Sequence, residues 1–111
     1  MSTLVVFGLL LAAALLETGA DAVIRLALHT PAPAGGRMLL FVAGAATLFG
    51  YGYLVNTVPW DFGRLLGLYI VLFFIVAQMM GWIVFGQAPP TGIYVGGAFI
   101  LIGGAIISVG H

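Results

Sequence analysis

Four long, predominantly apolar runs fill almost the whole of this chain, and each is about as long as the ~20 residues a bilayer crossing requires. They fall at about 4–28, 38–58, 63–85 and 91–109. Turn-forming residues punctuate them. His29-Thr30-Pro31-Ala32-Pro33-Ala34-Gly35-Gly36-Arg37 separates the first two, Pro59-Trp60-Asp61 the next, and Gly86-Gln87-Ala88-Pro89-Pro90 the last. The runs are continuously apolar and lack the alternation of barrel strands, so they predict helices. Trp60, Trp82, Tyr53 and Tyr94 lie near the predicted ends, where aromatic belts sit. Charge points the same way. Soluble domains are about a quarter charged; here 5% of 111 residues are. The expected fold is an all-α membrane protein, one four-helix transmembrane domain over residues 1–111. Loops this short predict that consecutive helices are antiparallel neighbours. No Lys or Arg precedes the first run, so it is expected to remain as a membrane span and not to be cleaved as a signal peptide.

Several functions are excluded by composition. The chain has no cysteine, hence no disulfide and no thiolate metal site. Two histidines cannot close a zinc site alone. No metal or cofactor is expected. There is no basic cluster, so nucleic acid is not a partner. The polar groups do not suggest a nucleophile held by a base and an orienting residue, so no enzyme is expected.

The first run carries the candidate site. Of six formal charges, Glu17, Asp21 and Arg25 all lie in it. With His29 they form a stripe at four-residue steps, a spacing that stacks side chains along a helix. A carboxylate at mid-bilayer costs ~2.5–3.5 kcal/mol on insertion scales, and ionisable groups at that depth are functional by default. Glu17 is the candidate working acid, binding protons or substrate. Asp21 precedes Arg25 by four residues, the favourable order for a helical ion pair, and the two are expected to form a structural pair. A closed network of all three that only holds helices together is the competing reading. Tyr51, in the second run, either lines a cavity or anchors and packs the helix. Gln78 is expected to act as interhelical glue, and Met79-Met80 to pack.

Orientation and assembly have their own signals. The side holding both termini carries Arg64, and the other carries Arg37 with Arg25 near it. So small a Lys/Arg bias fits insertion both ways up, or a fixed orientation set by weak bias and folding order. In the fourth run Gly96 and Gly103, and Gly97 and Gly104, are each seven apart. Small residues on one face let helices approach closely in lipid. Gly96, Gly103 and Gly104 are the expected dimer-packing positions.

Together these features resemble the small multidrug resistance family of the drug/metabolite transporter superfamily. The resemblance rests on four short spans, Glu17, Arg25 eight residues on, Gly86-Gln87 after the third span, and the Gly96/Gly103 pair. Gly63-Arg64, Tyr69 and Gly86 also resemble the YnfA-type branch. The resemblance implies an antiparallel, dual-topology dimer in a bacterial inner membrane. It further implies that Glu17 of both subunits takes protons and small cationic or polar compounds in turn, with Tyr69 beside the substrate. The chain departs from that family in three places. Asp21 stands at a neutral position, Tyr69 and Leu66 stand where Trp and Tyr are usual, and Val71 and Phe73 replace the glycines that kink the third helix. The leading expectation is therefore proton-coupled export. The alternatives are a lipid or metabolite carrier of the same superfamily, and a non-transporting subunit that docks a partner through its glycine-rich faces.

Overall fold

The computed structural model describes residues 2–31 and 33–110. Ala32, in the first expected loop, lies outside the described residues. Four helices follow in order: α1 Thr3–His29, α2 Ala34–Asn56, α3 Phe62–Phe85 and α4 Thr91–Val109. All four are long and apolar enough to cross a membrane. Among the described residues there is no strand.

Local chemistry explains where the helices stop. At the start of α1 the Ser2 hydroxyl accepts the Val5 N–H at 3.2 Å, satisfying one of the donors a helix N-terminus leaves open. α2 begins at Ala34, four residues before the expected Met38. Gly35 and Gly36 suggested a loop, yet both are helical. Pro33 stands as the N-cap, with φ −58° and ψ 151°, and the helix starts on the residue after it. Its carbonyl accepts the Arg37 N–H at 3.0 Å. α2 ends at Asn56, two residues before the expected Val58, where the Thr57 hydroxyl turns back onto the Leu54 carbonyl at 2.6 Å.

α3 stops on Gly86, whose φ of 66° is left-handed. The Gly86 N–H bonds the Trp82 carbonyl at 3.1 Å and the Gln87 N–H bonds the Gly81 carbonyl at 3.0 Å, a glycine-terminated helix cap. Gly86-Gln87, one of the motifs behind the family resemblance, is thus a helix stop. Space around Gly86 is open, so Gly86→Ala should be penalised by backbone strain alone. The expected loss is about 1–2 kcal/mol, read as a lower thermal midpoint in detergent; an unchanged midpoint would show that the left-handed turn is not retained.

The chain forms two compact units, Met1–Thr57 and Val58–His111. In the first, α1 packs on α2. The close point is Gly44, where an added Cβ would lie 2.5 Å from Cγ1 of Ile24. In the second, α3 packs on α4. Here Gly97 and Gly104 are buried, the first against the ring of Phe74 and the second against Val71. On the α3 side, Gly67 faces Ile107, 3.1 Å from where a Cβ would stand.

Candidate functional site

Glu17 lies at the middle of α1, half-buried, in the first unit. Tyr51 on α2 is also half-buried, and the Glu17 carboxylate acts electrostatically on its phenol. An acid at the middle of α1 and a phenol in the last third of α2 thus interact within one unit.

The rest of the stripe behaves differently. Asp21, Arg25 and His29 are all exposed on the chain surface. The reason is helical geometry. A step of four residues overshoots one turn by about 40°, so three steps carry the stripe about 120° around α1. It begins turned toward α2 at Glu17 and leaves that side as it climbs. Asp21 is about 6 Å and Arg25 about 12 Å further along the axis than Glu17. The intervening Thr18 is buried, and its hydroxyl donates to the Ala14 carbonyl at 2.8 Å.

Tyr69 belongs to the second unit. It is 4% exposed, and its ring lies 6.1 Å from that of Phe73 at an interplanar angle of 41°. A groove of about 340 Å³ between α3 and α4 is lined by Phe74, Gln78, Met79, Trp82 and Tyr94 among others. None of its lining side chains is an acid or a base, so it suits an apolar body and not the charged end of a ligand.

Arg64 has a role that its place in the sequence only hinted at. Its guanidinium sits 4.3 Å from the centre of the Trp60 ring, and its Nη2 donates to the Ser108 carbonyl at 3.4 Å. The cation therefore caps the negative end of α4 and stacks on an aromatic face. Nε is buried without a hydrogen-bond partner. Helical spacing could not have announced the Trp60–Arg64 pair, because Trp60 and Asp61 precede α3 and are not helical.

The glycines of α4 divide by face. Gly97 and Gly104 are taken up by α3 within the chain, including Gly104, which was expected on the dimer face. A Cβ added at Gly96 or Gly103 would meet nothing within 4 Å. This pair is open for a close approach from outside the unit.

Four apolar spans, with an ionisable group at the centre of the first, define a small integral membrane protein. The chain is 35% identical over 101 residues to the UPF0060 membrane protein YfjF of Bacillus subtilis strain 168, covering 89% of this chain and 88% of that one. It belongs to the UPF0060 membrane protein family. A UPF0060 membrane protein of Herpetosiphon aurantiacus is 37% identical over 68 residues, 60% of this chain and 62% of that relative's length. No family model matches the chain, and no solved structure matches it.

Proposed function

We propose that this chain is a small transporter of the bacterial inner membrane that exchanges protons for small cationic or polar compounds. Glu17 is the shared binding acid. The observation that carries this reading is a half-buried carboxylate at the middle of a membrane-spanning helix, acting electrostatically on the Tyr51 phenol of the next helix. An acid at this depth can hold a proton, give it up to an arriving cation and take it back when the cation leaves. Occupancy is mutually exclusive, and that couples the two flows. The tyrosine contributes a hydroxyl and an aromatic face, both of which suit a cation. Asp21 is a second station for proton or substrate one turn away, paired with Arg25. Resemblance to the small multidrug resistance family supports the same chemistry and a homodimer in which Gly96 and Gly103 meet the second copy.

The test is proton release from detergent-solubilised protein when a lipophilic quaternary cation is added. Release that saturates with cation supports exchange; binding with no release removes the coupling mechanism. Orientation gives a separate test. Two lysines added near the C-terminus should shift a mixed population toward one orientation, because the native bias is so small. Cysteine-accessibility labelling reads this directly, and a single orientation already present in the native chain would exclude dual topology.

One observation favours a second reading. α3 runs as unbroken helix from Phe62 to Phe85, with Val71 and Phe73 where a glycine hinge would ease rearrangement. A non-transporting subunit that docks through its open glycine face needs no such hinge. It predicts no proton release with any cation.

A further inference from the structure

Residues 22–60 contain no aspartate or glutamate, yet they carry Arg25, His29 and Arg37. All three are exposed. They sit at one end of the first unit, where α1 finishes and α2 begins. Arg37 stands in the first turn of α2, which holds no acid, and Pro33 ahead of it supplies no side-chain cap. A helix N-terminus favours anions and opposes cations. Arg37 is therefore a cation at a positive helix end with no acid in that turn to offset it. Beside it lies a cleft of about 290 Å³, lined by Ala34, Arg37, Met38 and Phe41. These positions share one face of the first two turns. The face changes character along its length, with Arg37 toward the loop end and Met38 and Phe41 deeper. A bilayer has the same order, headgroups outside and hydrocarbon within.

We propose that this cleft holds an anionic phospholipid, with its phosphate on Arg37 and the first acyl carbons against Met38 and Phe41. The guanidinium presents a planar fork that matches two phosphate oxygens. The anion also offsets the positive end of α2. A zwitterionic headgroup brings its own cation into this field, so the site selects net negative charge. The inference does not depend on transport.

The experiment uses the purified full-length protein in micelles doped with equal phosphatidylglycerol and phosphatidylcholine, with retained lipid read by native mass spectrometry. Wild type should retain phosphatidylglycerol in excess. Arg37→Gln should lower that retention about fivefold, the effect of one basic residue at a membrane surface, with helical circular dichroism unchanged. Phe41→Ala should lower retention of both lipids. Added inorganic phosphate should not displace the lipid. Equal retention of the two lipids by wild type, or undiminished phosphatidylglycerol retention in Arg37→Gln, would overturn the proposal. Displacement by inorganic phosphate would overturn it too, reassigning the cleft to a free anion.

Discussion

Glu17→Gln protein is expected to fold and associate as wild type does and to lose all proton release on cation addition. Glutamine keeps the shape of glutamate and its capacity for hydrogen bonds but has no titrating proton. The substitution therefore leaves the contact with α2 sterically unchanged and removes only the exchangeable charge. Coupled uptake in proteoliposomes should fall to background. Asp21→Asn should act differently, because Asp21 is exposed on α1 and stands one turn before Arg25. Neutralising one member of the proposed Asp21–Arg25 pair leaves the other charge without compensation in a low-dielectric setting, which reduces stability or insertion before it reduces coupling. The two variants separate a working acid from a holding network. A network that only ties helices together would suffer alike from both changes. Cation-driven proton release surviving in Glu17→Gln would falsify the assignment of Glu17 and move the coupling role to Asp21.

Much of the fold was legible because bilayer helices are written in long uninterrupted runs, and the breakers between them are strong. The exception is instructive. Gly35-Gly36 looked like loop, yet α2 begins directly after Pro33 and both glycines lie in its first turn, because glycine weakens a helix without forbidding it. The candidate site was legible in part. Glu17 and its stripe follow from spacing alone. The approach of Tyr51 to Glu17 depends on how α2 rotates against α1, which is set where Gly44 admits Ile24. A sequence with several small residues in α2 does not say which of them makes that contact. Tyr69 shows the opposite limit. Its place in a motif suggested a substrate wall, and burial at 4% exposure in the second unit is a fact of packing that no motif carries.

Gly104→Leu and Gly103→Leu, one residue apart, should produce opposite phenotypes. Neighbouring positions on a helix point about 100° apart, so the two seven-spaced pairs of α4 serve different surfaces. At Gly104 a side-chain carbon would overlap Val71 of α3, a packed and β-branched neighbour on a regular helix. Leucine adds more atoms beyond that first carbon. Overpacking of this kind typically costs about 1–3 kcal/mol, occasionally more, and here it acts at the contact between the two helices of the second unit. The expected result is a lower yield of folded protein and a lower thermal midpoint in detergent. At Gly103 an added carbon meets nothing within 4 Å, so the unit itself should melt as wild type does. Its loss should appear between chains, as weaker chemical cross-linking of a homodimer, because a leucine there holds the second backbone away. Undiminished cross-linking in Gly103→Leu, and in Gly96→Leu beside it, would take this face of α4 out of the interface. Any dimer would then have to form through other surfaces, among them the exposed flank of α1 that bears Asp21 and Arg25.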